Sequence, residues 1–108
     1  PYVFGGDSLS GMDCSSFVQY VYALNGIYLP RTAEEQAQMG TYVTDKLKPG
    51  DLIFFKDTYK PGISHVGIYA GKGYMIEDSS VYGKVVMVPI LDMHYLVRHF
   101  AFAKRIIP

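Results

Sequence analysis

After Asp13, apolar side chains recur at Phe17, Val18, Val21, Tyr22 and Leu24, the 3.6-residue spacing of one buried helix face. Asn25-Gly26 supplies a stop for this helix, and Asp13 or Ser10 a cap for its start. A second, shorter helix is expected within "LPRTAEEQAQMG", where Thr32 and Glu35 have capping-box spacing and Gly40 ends the element. The pattern then changes. "LKPGDLIFF" reads as a turn at Pro49-Gly50 feeding a strand. "SHVGIYAGKGYMIED" reads as a hairpin with Gly71 and Gly73 around its turn. "KVVMVPI" is a further strand ending at Pro89, "LDMHYL" a short helical turn, and "RHFAFAKRII" alternates as a closing strand. Helices followed by a run of antiparallel strands predict an α+β domain.

Length and composition narrow this without changing it. The chain has 108 residues and no repeat, low-complexity segment or internal boundary, so residues 1–108 read as one domain with one core. Hydrophobic residues make up 49% and charged residues 19%, the balance of a globular rather than a disordered chain. Lys and Arg total 10, as do Asp and Glu, so the basic footprint of a nucleic-acid binder is missing. No apolar run approaches the roughly 20 residues of a membrane helix. The start at "PYVFGG" carries no signal peptide and reads as a domain taken from a longer protein. The 10 tyrosines are read as amphipathic core-edge residues ahead of sugar-stacking platforms.

Candidate chemistry centres on the single cysteine, Cys14. One cysteine forms no internal disulfide, so cysteine usage does not fix the redox compartment, and with no C-x-x-C a thiol redox role is disfavoured. A lone cysteine is most often a small buried hydrophobe. Cys14, however, stands at the opening of the first helix, read as off its apolar stripe, where first-turn N–H groups favour an anion. A thiolate nucleophile needs a base. His65 begins a strand whose alternation sets His65, Gly67 and Tyr69 on one face and Val66, Ile68 and Ala70 on the other. If the second face meets the core, His65 points at whatever covers the first, read as the start of the Cys14 helix. With the hairpin centred on Gly71, position 77 falls opposite position 65, so parity selects Glu77 over Asp78 as the group that orients His65. Spacing alone leaves Glu77 open as either that orienter or a solvated hairpin residue. One cysteine and three scattered histidines give no metal-ligand motif, and no cofactor is expected.

Taken together, "YVFGG", "DCSSF", "LPRTAEEQ", "LKPGDLIFF" and "SHVGIYAGKGYMIED", in this order along nearly the whole chain, resemble the NlpC-type family of papain-like cysteine peptidases of bacterial cell walls. The resemblance implies a papain-like α+β core in which the nucleophile's helix packs on an antiparallel sheet carrying the histidine. It implies hydrolysis of the bond between γ-D-glutamate and a diamino acid in peptidoglycan stem peptides, outside the cell or in the wall. It also implies a monomer tethered to a further wall-hydrolase or wall-binding domain. Carried over by position, Cys14 is the nucleophile, His65 the base and Glu77 the third polar group. Tyr2 places its hydroxyl near the thiol, Asp13 binds the free amine of the stem, Ser15 and Ser64 line the glutamyl pocket, and Arg31 supports the site and contacts substrate. Bland alternatives stand beside these: Asp13 as helix cap, Tyr2 as packing, Arg31 as a surface ion pair. His94 and His99 have no family counterpart and read as structural or surface residues.

Two departures stand out. The third position is usually His and here is Glu77, and Ser16 stands where glycine is commoner, with a side chain expected to narrow the pocket. An amidase or acyltransferase with a different acyl substrate, and a wall-binding module without turnover, are the rival functions. The presence of both Cys14 and His65 disfavours the module.

Overall fold

In the computed structural model, which describes residues 2–3, 5–8, 11–79 and 82–106, residues 52–55 are buried at every position, each at 1% exposure or less. A strand reads this way only when both of its faces are covered. Leu52 and Phe54 face one core with Val66, Ile68 and, from the helical layer, Val18, Tyr22, Leu29 and Ala33. Ile53 and Phe55 face a second core with Met75, Val88 and Leu96. Burying each of these large side chains contributes roughly 1.5–3 kcal/mol.

The chain begins with a two-stranded ribbon, β1 (Asp7–Ser8) and β2 (Gly11–Met12), followed by α1 (Cys14–Leu24) and α2 (Ala33–Gln36). Then come β3 (Thr41–Tyr42), β4 (Leu52–Lys56), β5 (Ile63–Gly71), β6 (Tyr74–Ser79) and β7 (Lys84–Pro89). A 3-10 turn (Ile90–Asp92), α3 (His94–Arg98) and β8 (Phe100–Arg105) complete it. The main sheet is antiparallel in the order β3-β8-β4-β5-β6-β7. This is the expected α+β architecture. The ribbon and β3, two residues per strand, are too short for alternation to announce them.

Helix α1 starts and stops where its signals lie. Asp13 is the N-cap in a capping box with Ser16, and Asn25 caps the other end ahead of Gly26 at φ +79°. The alternative cap, Ser10, lies outside the described residues. Two details of its face differ from expectation. Leu24 is 69% exposed, because it points away from the line through Val18 and Tyr22. Cys14 lies on that line at i, i+4 spacing and belongs to the core cluster rather than off the apolar stripe. Helix α2 has its Thr32–Glu35 capping box but ends at Gln36, short of Gly40. The buried Gln36 amide donates to Ser15 O and Pro30 O, pinning the short helix against α1.

The β5–β6 hairpin turns at Lys72-Gly73, both with positive φ (54° and 83°), as a two-residue type I′ turn requires. A bulge between Tyr69 and Gly71 follows, and the ladder then runs Tyr69↔Met75 and Ile68↔Ile76. The predicted centre at Gly71 is therefore displaced, and Glu77 is two register positions away from direct opposition to His65. An odd slip would have turned Glu77 to the other face; an even one keeps it on the face of His65.

Candidate active site

Cys14 is the first residue of α1, 7% exposed, and free. His65 lies near the start of β5 beside the ring of Phe55, at 5.7 Å between centroids. Its Nε2 is 2.5 Å from Glu77 Oε1. The diagonal offset left by the hairpin register is within reach of a long carboxylate side chain. With Nε2 engaged, Nδ1 remains for Cys14, which lines the same cavity as His65 and Glu77. One expectation is corrected here. Helix α1 covers the Val66 and Ile68 face, opposite that of His65. Cys14 and His65 meet at the end of the sheet, where the first turn of α1 stands beside the beginning of β5, and not across its face.

Burial alone lowers the pKa of an imidazole. Here hydrogen bonds to Cys14 and Glu77, and their negative charge, outweigh it and push His65 up to about 10. Glu77 is 2% exposed, and its second oxygen has no hydrogen-bond partner, so its charge acts on the imidazole with little competition. This disposes of the solvated-hairpin reading of Glu77. The Tyr2 phenol is pushed up to about 12, chiefly by burial and then by charge at Cys14 and Asp13, so it stays a hydroxyl donor next to the thiol.

Asp13 is heavily engaged. Its Oδ1 accepts from Ser16 N (2.9 Å), Ser15 Oγ (3.2 Å) and Arg31 Nη1 (3.1 Å), while Oδ2 accepts from Arg31 Nη2 (3.0 Å). Burial opposes ionisation, but the Arg31 and Ser16 hydrogen bonds hold the carboxyl below its usual range. Arg31 also donates to Ser15 Oγ and Gly6 O. Ser16, expected to narrow the pocket, turns away from it: its hydroxyl donates to Gly6 O at 2.6 Å and accepts from Asp13 N, completing the cap. Ser64 shares a 2.5 Å hydrogen bond with the Thr58 hydroxyl and accepts from Thr58 N, which ties the 57–62 loop to β5.

Two cavities adjoin Cys14. The polar one, about 310 Å³, brings together Tyr2, Asp13, Ser15, Arg31 and Ser64, the residues expected to bind substrate, and adds Glu34, Tyr59 and Lys60. The other, about 530 Å³, is lined by His65 and Glu77 and walled by Met93, Tyr95 and Leu96, with Asp92 and His94. His94, read from sequence as a structural or surface residue, thus borders the site. His99 is structural: its Nδ1 engages Lys56 O and its ring stacks on Tyr95. The α3 wall, Thr58 and Tyr59 carry no motif, and their long-range placement left no signal in the sequence. Among the described residues no three His, Cys, Asp or Glu side chains converge to hold a metal.

Behind the site, Asp78 is fully buried and neither of its oxygens has a hydrogen-bond partner. Burial, followed by the charges of Asp13 and Glu77, pushes it up to about 6. A carboxyl raised in the folded state costs stability above that pH and nothing below its unfolded value near 4. Asp78→Asn is therefore expected to gain about 2 kcal/mol on the wild type at pH 8 compared with the same difference at pH 4. Urea denaturation at both pH values measures this; a difference that does not change with pH would mean Asp78 is not a buried charge.

A family model described as "NlpC/P60 family" matches residues 1–105. A Bacillus subtilis protein named gamma-DL-glutamyl hydrolase is 58% identical over 83 residues, covering 73% of this chain and 20% of its own length. A Bacillus cereus gamma-D-glutamyl-L-lysine dipeptidyl-peptidase is 36% identical over 110 residues, covering 100% of this chain and 33% of its own. The chain thus spans a third or less of the length of these curated relatives. The crystal structure of an NlpC/P60 family protein from Bacillus cereus superposes with a TM-score of 0.90 at 36% identity, covering 100% of this chain and 36% of that one.

Proposed function

Because the chain belongs to the NlpC/P60 family, we propose that it is the peptidase domain of a cell-wall hydrolase that cleaves the γ-D-glutamyl–diamino acid bond of peptidoglycan stem peptides. The observation that carries this reading is the line from Cys14 to His65 to Glu77, with a 2.5 Å contact between the last two, at the head of a helix. The names of the relatives add support, since both describe a γ-glutamyl group as the acyl part of the bond.

In this mechanism the Cys14 thiolate attacks the γ-carbonyl. His65 donates its proton to the leaving amine, and Glu77 holds the ring and balances its charge. The backbone N–H of Cys14 and the hydroxyl of Tyr2 stabilise the oxyanion. Water then attacks the thioester with His65 as base and releases the glutamyl acid. Asp13, Ser15, Arg31 and Ser64 shape the acyl side, and the α3 wall receives the leaving residue. The domain acts outside the cell or in the wall as a monomer, joined to further domains of a longer protein.

Mass spectrometry of stem peptides in their diaminopimelate and lysine forms, incubated with the domain and with Cys14→Ala as control, tests this. Cleavage after γ-D-glutamate that depends on Cys14 is expected. The 58% identity to a protein named for γ-DL-glutamyl hydrolysis favours one second reading, a γ-glutamyl amide outside peptidoglycan. Turnover of a γ-glutamyl oligomer with both stems left intact would select it.

A further inference from the structure

The two cavities that adjoin Cys14 differ in charge. The polar one has Arg31 and Lys60 in its lining. The larger one, about 530 Å³, has no lysine or arginine among its described lining residues. Its carboxylates are Glu77 and Asp92, and its imidazoles are His65 and His94. Glu77 and His65 are committed to each other at 2.5 Å, and both are mostly buried. Asp92 is neither buried nor committed. It stands exposed in the turn Ile90–Asp92, and no described residue gives it a hydrogen bond or an ion pair. Beyond it the wall is apolar, built from Met93, Tyr95 and Leu96. His94 offers an imidazole, which is not a permanent cation.

The leaving residue of a γ-D-glutamyl–diamino acid bond has an aliphatic side chain with a charged end. In lysine that end is an ammonium. In diaminopimelate the end carries a carboxylate as well. The methylene groups suit an apolar wall, while each charge needs a partner as it leaves water. A free carboxylate at the edge of the wall stabilises the ammonium. It repels a second carboxylate, and the described lining holds no lysine or arginine to offset that repulsion.

We propose that Asp92 selects the leaving residue, taking the side-chain ammonium of L-lysine above the wall of Met93, Tyr95 and Leu96 and disfavouring diaminopimelate. This rests on the hydrolase reading above and deepens it by naming the diamino acid that the domain accepts.

Steady-state kinetics on L-Ala-γ-D-Glu-X tests it, with X as L-lysine, L-norleucine or meso-diaminopimelate. Norleucine keeps the aliphatic chain and lacks the ammonium. An exposed ion pair supports a modest margin, so wild-type kcat/KM for the lysine form is expected to exceed that for norleucine about 5-fold. The added repulsion brings the margin over diaminopimelate to about 10-fold. Asp92→Asn is expected to bring the lysine and norleucine forms within about 2-fold of each other, and Asp92→Lys to place diaminopimelate ahead of lysine. The side chain is exposed, so both variants should fold, which circular dichroism checks. A lysine-to-norleucine ratio unchanged in Asp92→Asn overturns the proposal, as does a wild type that favours diaminopimelate or treats all three alike. Calorimetric binding of the same peptides to Cys14→Ala protein, with and without Asp92→Asn, separates this from the hydrolase reading. No turnover by the wild type, with binding that favours lysine only while Asp92 is present, rejects the hydrolase reading and keeps the lysine site. Cleavage that depends on Cys14 but is indifferent to X keeps the hydrolase reading and rejects the lysine site.

Discussion

His65→Ala is expected to lower kcat on a stem peptide by roughly 10²–10⁴-fold, and Cys14→Ala to abolish turnover, with both variants folded. The losses have different causes. Without the Cys14 sulfur there is no acyl intermediate. Without His65 the thiol persists, but it loses the group that takes its proton and returns it to the leaving amine. Neither change should unfold the domain. Cys14 is a small side chain at the edge of a core whose mass lies in Val18, Tyr22, Leu52 and Phe54. His65 stands near the start of β5, while the centre of the second core is Ile53, Phe55 and Met75. Single-turnover kinetics, circular dichroism and thiol titration of His65→Ala together decide the point. A folded His65→Ala protein with wild-type kcat would remove His65 from the mechanism, and full activity in Cys14→Ala would remove the mechanism altogether.

Much of this arrangement was legible in the chain, for identifiable reasons. The α1 boundaries are local: Asp13 and Ser16 satisfy the first-turn N–H groups, and Asn25-Gly26 stops the helix. The α+β class followed from the change of period after Gly40. Glu77 was found from parity, which survived an error in register because the hairpin was displaced by an even number of residues. What stayed hidden depends on contacts between distant segments. Alternation on β5 correctly separated His65 from Val66 but not which face α1 would cover, because both faces are buried. Ser16 looked like an obstruction beside the nucleophile until its hydroxyl was seen on Gly6 O, ten residues earlier. Glu34 and Lys60, 26 residues apart, become neighbours only through the loop that Ser64 ties down by way of Thr58.

Glu77→Gln is expected to cost less, about 10–100-fold in kcat at pH 7, and to shift the pH profile. The amide keeps an acceptor oxygen for His65 but loses the charge. In the wild type, hydrogen bonds and charge at Cys14 and Glu77 hold His65 up at about 10 against the pull of burial. The imidazolium therefore persists well above neutrality, and the alkaline limb of kcat/KM belongs near that value. Replacing the Glu77 carboxyl with an amide lets burial gain, so the limb should move down by about 1–3 units. The linked stability has the same sign. A histidine raised in the folded state contributes in full below its unfolded pKa of about 6.5, and that contribution is lost as pH rises through about 10. Wild-type protein should thus lose stability between these pH values, and Glu77→Gln should lose less, as urea midpoints at pH 6 and pH 10 would register. An alkaline limb unmoved in Glu77→Gln would mean that the carboxylate does not set the charge of His65. A loss as large as that of His65→Ala, by contrast, would mean that it does more than orient and charge the ring.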